Sequence, residues 1–211
     1  MKRFLALALT AALPAIAAAE PTLWTIDPAH SDSTFSVRHL VISTVRGHFG
    51  KTTGKVMLDE NDISRSTVEA TVDATTIDTR VPDRDAHLKS PDFFDVAKYP
   101  AITFKSTKVE KAGDDKLKVT GDLTMKGTTK PVVWEVTYSP KAITGMGGEL
   151  RRGFSATTKV NRQEFGLKWS KTVEAGPVVG DDVTLMVDAE AVKGELKKPQ
   201  AKAATAEEKK P

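Results

Sequence analysis

The chain has 211 residues, of which 39% are hydrophobic and 28% are charged, and it contains no cysteine. A chain without cysteine has no disulfides, thiolate metal ligands or cysteine nucleophiles, which excludes several classes of secreted scaffold and enzyme. A formal charge of +3 and a pI near 9.0 suggest a nucleic-acid partner, but residues 20–192 hold 23 basic and 25 acidic residues. A nearly neutral domain lacks the basic surface that binds phosphate backbones, so we expect no nucleic-acid partner.

The first 19 residues have the pattern of a secretory signal peptide. Lys2 and Arg3 give a basic start, Phe4–Leu13 is an apolar run, and residues 17–19 read Ala-Ala-Ala, which fits an A-x-A cleavage site. The apolar run is too short to span a bilayer. We therefore predict a signal peptide at 1–19 that is cleaved during export, leaving a soluble mature protein.

From residue 22 to residue 192, apolar and polar side chains alternate in the way that is typical of half-buried antiparallel strands. Between Thr67 and Thr75, for example, every second residue is apolar. The same alternation marks the segments 35–37, 45–49, 56–58, 102–104, 116–126, 132–138, 154–160 and 183–189. Gly- and Asp-rich connectors at 113–115 and 126–128 predict hairpins. The pattern predicts about eight or nine strands.

The segment from Val81 to Val96 interrupts the alternation. Pro82 suits a first helical turn, and Ser90 before Pro91 resembles the cap of another helix. We therefore predict two short helices that cover one end of the sheet. A single helical turn is also predicted at 161–164, with Asn161 as its cap.

Residues 193–211 are rich in Lys, Ala and Glu, and this composition predicts a disordered tail. The region between the signal peptide and the tail, residues 20–192, is predicted to be one domain. The Thr-Gly dipeptide occurs at 53–54 and again at 120–121. We treat that echo as a coincidence, and it predicts no repeat.

Many antiparallel strands with few helices favour a sandwich or a closed barrel. Several inward-facing positions carry small residues: Ala70, Ala74, Gly121, Ala156 and Ala189. Small inward residues favour an unfilled interior, because an eight-stranded barrel is just wide enough to hold one small ligand. Close packing of small against large residues is the alternative.

No recognised catalytic motif is present. The chain has no G-x-S-x-G, no H-E-x-x-H and no P-loop. His30, His39 and His48 lie nine residues apart, a spacing that does not form a metal site. Asp83 and His87 share a helix face and could both bind a metal, but we favour a surface pair because no third ligand is identifiable. We predict no metal, no cofactor and no enzymatic activity.

The aromatic residues could line an apolar cavity, since small-molecule sites are mostly apolar with a few polar groups. Core packing is the alternative for each of them. A set of cations lies near the predicted helical stretch and the first turn: Arg38, His39, Arg46, Arg84, His87 and Lys89. Such a set suits an anionic head group if the fold brings its members to one rim.

Several motifs occur in an order that resembles the YceI-like family of exported polyisoprenoid-binding proteins. They are Trp24–Ser31, Phe35–Leu40, Val45–Phe49, Arg84–Phe94, Lys98–Pro100, Gly121–Thr124, Gly127–Val132, Asn161–Arg162 and Phe165–Trp169. The resemblance extends from about residue 23 to residue 192. The sequence departs from it at 143–148, where relatives often carry Trp-Gly.

The resemblance implies an all-β fold, a lipocalin-like antiparallel β-barrel of about eight strands with short helices near one end. It also implies a periplasmic binding protein, not an enzyme, whose cavity holds a long-chain isoprenoid lipid or an isoprenoid-quinone-like lipid. The residues carried over as cavity candidates are Phe35, Val37, Phe49, Phe94, Phe104, Trp134 and Trp169. Those carried over as rim or head-group candidates are Arg38, His39, Arg84, His87 and Lys89.

Two other functions stay open on the sequence. One is a periplasmic hydrolase or isomerase that uses His39 or His87 as a base. The other is a structural stress protein with a fully packed barrel and no ligand. Transient membrane contact and a homodimer are both compatible with the sequence.

Overall fold

The computed structural model describes residues 20–174 and 176–196. The predicted signal peptide, residue 175 and residues 197–211 of the predicted tail lie outside the described residues. The strands within these ranges are β1 (Thr22–Ile26), β2 (Asp32–His39), β3 (Ser43–Phe49), β4 (Thr52–Leu58), β5 (Thr67–Asp73), β6 (Ile77–Asp78), β7 (Ala101–Lys111), β8 (Lys116–Met125), β9 (Thr128–Tyr138), β10 (Ile143–Thr144), β11 (Leu150–Asn161), β12 (Thr172–Val173), β13 (Gly176–Pro177) and β14 (Val179–Lys193). The helices are α1 (Pro82–Lys89) and three short 3-10 helices at Ile63–Arg65, Ala74–Thr76 and Arg162–Phe165.

Eight strand positions form a closed antiparallel barrel. The strand order is β11-β9-β8-β7-β5-β4-β1-β14, and β11 closes the ring by pairing with β14 from Arg151↔Val192 to Asn161↔Asp182. The predicted all-β fold and the barrel of about eight strands are therefore confirmed. No helix in the described ranges is long and apolar enough to cross a membrane.

Two neighbouring positions of the barrel are each filled by two strands. β1 and β2 fill one position, and β3 and β4 fill the other. β1 and β2 both pair with β14, through Thr25↔Val192 and Ser33↔Val187, while β4 pairs with β1 and β3 pairs with β2. The bend between β1 and β2 is held by Asp27, whose carboxylate accepts hydrogen bonds from the backbone N–H of Ala29 and from His30. These bends let long strands follow the curvature of a small barrel.

The prediction of two short helices at 81–96 is wrong in its second part. Ser90 ends α1, since its backbone N–H donates to the carbonyl of His87, and residues 91–94 form turns. A proline disfavours helical backbone at the residue before it, which is Ser90 here. Phe93 and Phe94 are also both buried in the core. The predicted turn after Asn161 is confirmed, because the Asn161 side chain accepts a hydrogen bond from the N–H of Gln163. The hairpins predicted at 113–115 and 126–128 are confirmed by the β7–β8 and β8–β9 pairings.

The barrel end opposite α1 is closed by side chains. Trp24, Leu58 and Ala191 form a small buried cluster there. The guanidinium of Arg152 lies 5.0 Å from the centroid of the Trp24 ring. It also donates to the carbonyls of residues 139 and 140 and pairs with Glu60. A buried guanidinium with these partners seals this end.

A carboxylate cluster near the same end gives a prediction about acid stability. The Arg151 guanidinium pairs with Asp27 at 3.0 Å and also with Glu149 and Glu190. Burial raises the pKa of Asp27, but the hydrogen bonds from His30, Ala29 and Arg151 outweigh it, so the pKa lies below its usual 3.8. The folded state therefore favours the ionised carboxylate. This stabilisation is present above pH 3.8 and is lost as the pH falls through the lower folded pKa.

Asp27→Asn is expected to lower the free energy of unfolding by about 2 kcal/mol at neutral pH, because it leaves Arg151 with fewer partners. Its stability should then fall less steeply than that of wild type between about pH 5 and about pH 2. Urea unfolding at a series of pH values measures both effects. Asp114→Asn, at a fully exposed carboxylate, is the control. Equal acid sensitivity of Asp27→Asn and wild type would contradict the assignment.

Candidate ligand-binding cavity

A cavity of about 380 Å³ lies inside the barrel and is lined almost entirely by apolar side chains. Its lining extends from His87 and Trp169 at the α1 end to Leu58 and Leu117 near the opposite end. Inward residues of β14 such as Leu185 are only partly buried, because they face this empty space. The interior is therefore elongated and is not solidly packed.

The small inward residues explain part of this space. Ala70, Ala156 and Ala189 line the cavity. Ala74 instead packs in the buried core. Gly121 does not enlarge the cavity, because the Phe104 ring fills the space beside it. A Cβ at Gly121 would lie 2.6 Å from that ring. Three of the five small residues thus make room for the cavity.

Aromatic rings form much of the cavity wall. The centroids of Phe35 and Phe49 are 5.8 Å apart, and Phe94 packs edge-on to Phe49 at 5.8 Å. Phe104 and Trp134 form a second edge-to-face pair at 6.0 Å. All seven residues predicted to face a cavity lie in its lining, namely Phe35, Val37, Phe49, Phe94, Phe104, Trp134 and Trp169.

Three rings meet at the α1 end of the cavity. The imidazole of His87 lies 5.1 Å from Phe93 and 5.2 Å from Trp169, edge-to-face in both cases, and Phe93 and Trp169 are 5.4 Å apart. α1 and the segment that carries Trp169 therefore touch each other over this end. Phe93 was not among the predicted site residues, although it lies in the lining.

The fold brings four of the five predicted rim residues to the cavity, and they are Arg38, His39, Arg84 and His87. Lys89 lies on the last turn of α1 outside the lining. The other cation of the set, Arg46, lies exposed on the outer face of β3.

Most of these rim cations already bind protein groups. Arg84 donates to the hydroxyl and the carbonyl of Thr79, at 2.7 and 2.8 Å. The Nε2 of His87 lies 2.9 Å from the carboxylate of Asp92. His87 therefore forms a pair of the predicted kind, but its partner is Asp92 and not Asp83.

The sequence reasoning missed the role of Arg162, a buried residue with 4% of its surface exposed. Its guanidinium donates to the carbonyls of Leu167, Trp169 and Gly180, and it pairs with Asp181. Burial lowers the pKa of Arg162, and the Asp181 carboxylate opposes that change. Arg162 thus holds the segment that carries Trp169 against the start of β14. Within the sequence, Arg162 stood out only as part of an Asn-Arg motif.

One group among the described residues has the donor atoms of a metal site: Asp27, His30 and Glu190, with ligand atoms within 4.8 Å of one another. Arg151 pairs with both carboxylates of this group. A guanidinium there already neutralises the charge that a cation would need. The group lies at the end opposite α1, away from the rings at the cavity's α1 end.

A closed antiparallel barrel around one elongated apolar cavity defines a lipocalin-like class of fold. The model of the YceI-like domain matches residues 24–191, so the chain belongs to the YceI-like family.

Curated relatives agree with this assignment. The UPF0312 protein VPA0850 of Vibrio parahaemolyticus is 40% identical over 161 residues, which cover 76% of this chain and 85% of that protein. The protein YceI of Escherichia coli O17:K52:H18 is 38% identical over 163 residues, covering 77% and 82%.

Solved structures share the fold. The Campylobacter jejuni YCEI protein matches with a TM-score of 0.64 and 31% identity, over 75% of this chain and 90% of that chain. BcnA of Burkholderia cenocepacia matches with a TM-score of 0.69 and 23% identity, over 78% and 98%. A polyisoprenoid-binding domain from Saccharophagus degradans matches with a TM-score of 0.58 and 12% identity, over 81% and 98%. The last two likenesses establish the fold alone.

Proposed function

We propose that this protein binds a long-chain isoprenoid lipid, or an isoprenoid-quinone-like lipid, inside the barrel. The observation that carries the proposal is the elongated apolar cavity with cations at one end. The family assignment supports it, as does the fold shared with a domain described as polyisoprenoid-binding. In this arrangement the lipid chain lies among Phe35, Phe104 and Trp134.

The polar end of the lipid is assigned to the α1 end. Arg38, His39, Arg84 and His87 reach the cavity there, and Lys89 lies on the same helix. The opposite end carries the buried plug of Trp24 and Arg152. A chain that enters with its apolar tail first therefore keeps its head group near solvent and near cations.

Binding and carriage, not catalysis, is the proposed activity. The lining offers extensive apolar surface with few polar groups, which suits retention of a ligand. The proposal includes export to the periplasm, where a protein with a hydrophobic interior can carry or store a lipid that water does not dissolve. The signal-peptide pattern at 1–19 supports this location.

The direct test is native mass spectrometry of protein purified from a bacterium that exports it. We expect a co-purified prenyl lipid that is released on unfolding. In reconstitution with prenyl alcohols of increasing length, affinity should rise with each added isoprene unit until the cavity is full, because each buried apolar Å² contributes about 25 cal/mol. A protein that is empty as purified and takes up no prenyl chain would overturn the proposal.

A substitution inside the barrel gives a matched test. Ala156→Phe places a ring in the cavity, and we expect prenyl occupancy to fall at least about tenfold, with a shift towards shorter chains. Thr157→Phe adds the same ring to the outer face of β11 and is the control. Fluorescence displacement of a bound prenyl probe measures both variants. Equal loss in both would show that the effect does not come from the cavity.

A further inference from the structure

Three apolar side chains protrude beside the α1 end of the cavity. Val41, Ile42 and Val173 have 58%, 81% and 45% of their surfaces exposed. Val41 and Ile42 lie in the turn between β2 and β3, and Val173 lies in the β12–β13 hairpin. We call these three residues the apolar tip.

The two loops that form the apolar tip are in contact. The backbone N–H of Leu40 donates to the carbonyl of Val178 at 2.9 Å. A Cβ at Gly176 would lie 3.9 Å from the Cγ2 of Val41. The exposed apolar residues therefore form one local surface on neighbouring loops, not separate solvent-facing side chains.

The turn at the apolar tip has a backbone conformation that its residues disfavour. Leu40 and Val41 have φ angles of 49° and 63°, and the N–H of Ile42 donates to the carbonyl of His39 at 3.2 Å. A β-turn with positive φ at both central residues, such as the turn 39–42, prefers Asn and Gly at those positions. A β-branched valine is strained in this region. The turn thus holds apolar side chains in water at a cost in folding stability.

The two loops that carry the apolar tip, with the residues that flank them, are rich in basic residues. The segments 38–46 and 166–178 contain Arg38, Arg46, Lys168 and Lys171 and the single acidic residue Glu174. The rest of residues 20–192 holds 19 basic and 24 acidic residues. Arg38 donates to the carbonyl of Val41 itself. These two segments are therefore more basic than the rest of the domain.

The apolar tip is continuous with the cavity. Arg38, His39, Trp169, Val178 and Val179 all belong to the cavity lining, and each lies on or beside one of the two tip loops. A partner surface that contacts the apolar tip would therefore face the end of the barrel where the three rings meet.

We propose that the apolar tip inserts into the interface of an anionic bilayer, while the cations of the two loops and their flanks bind lipid phosphates. Exposed aliphatic side chains together with Lys and Arg are the combination that binds such surfaces. Docking would place the α1 end of the cavity against the membrane. The use of that contact for lipid transfer rests on the proposed function, whereas the docking itself does not.

The test is flotation of the purified protein with vesicles of phosphatidylcholine, alone or mixed with phosphatidylglycerol. Wild type should float with the anionic vesicles, and added salt should weaken that binding. The double variant Leu40→Asn/Val41→Gly installs the preferred turn sequence, so it should fold at least as stably as wild type. We expect its vesicle binding to fall about tenfold. Lys171→Glu should cause a loss of about the same size.

Matched controls lie at the opposite end of the barrel. Ile143 is 68% exposed there, and Lys141 is an exposed cation nearby. Ile143→Thr and Lys141→Glu should leave flotation within about twofold of wild type. No flotation of wild type, or equal losses in tip and control variants, would overturn the proposal. So would a dimer that dissociates on the tip substitution without any vesicle binding, since the tip would then be a self-association surface.

The failure of docking and the failure of lipid binding are distinguishable. Leu40, Val41 and Lys171 lie outside the cavity lining. The tip variants should therefore still take up a prenyl alcohol delivered in detergent. Wild type that floats with vesicles but takes up no prenyl chain would retain the docking and overturn the proposed function.

Discussion

Arg162→Met is expected to lower the free energy of unfolding by about 4 kcal/mol. Methionine has a similar length but no donors, so the carbonyls of Leu167, Trp169 and Gly180 lose the guanidinium that binds them. Urea unfolding followed by circular dichroism measures the loss. Because the segment with Trp169 is held by these bonds, amide hydrogen exchange at 167–171 should also accelerate.

The control for this variant is Arg46→Met, at an exposed arginine on β3. We expect its stability to stay within about 0.5 kcal/mol of wild type. Arg162→Lys should recover little, since one ammonium cannot reach the set of carbonyls that a planar guanidinium reaches. An Arg162→Met variant with wild-type stability and unchanged exchange would show that the buried hydrogen bonds do not hold the segment.

Gly54→Ala is expected to destabilise the barrel by about 3 kcal/mol, from a single added methyl group. A Cβ at Gly54 would overlap the carbonyl oxygen of Glu69 and lie 2.9 Å from the Cα of Ala70. Both atoms belong to the backbone of β5, with which β4 pairs at this position. The backbone cannot rotate away as a side chain can, so the two strands must separate.

Gly50→Ala provides the comparison for that substitution. The nearest atom to a Cβ at Gly50 is the Cβ of Thr76, at 3.8 Å, which is ordinary van der Waals contact. Its stability should match or slightly exceed that of wild type, because alanine restricts the unfolded chain. Thermal unfolding of both variants measures the difference. Equal stability of the two would remove the steric argument.

The alternation of side chains carried most of the information about the fold. Once Val68, Ala70 and Val72 are assigned to one face of a strand, a closed sheet turns that face inward, and all three residues line the cavity. The aromatic candidates followed from the same parity and from the family resemblance. Alternation does not show where a long strand bends. The sequence pattern therefore does not show that β1 and β2 together fill one position of the barrel.

Three features depended on tertiary contacts that local pattern does not encode. The segment after Ser90 has helical capping signals, yet burial of Phe93 and Phe94 folds it into turns. The Thr-Gly dipeptides at 53–54 and 120–121 predict no repeat from the sequence. Both of their glycines, Gly54 and Gly121, lie where a Cβ would meet the backbone of the neighbouring strand. The sequence does not distinguish Arg162 from the other arginines, because most of its hydrogen-bond partners are backbone carbonyls, which leave no side-chain signal.

The pairing of β14 has a consequence for how the chain is made. Its partners are β1 and β2 from the beginning of the domain and β11 from its end. A ribosome releases those first strands long before it reaches residue 193, so their edges stay without their final neighbour for most of synthesis. The barrel cannot close until the last strand emerges. We therefore expect the nascent barrel to stay open until β14 has been synthesised.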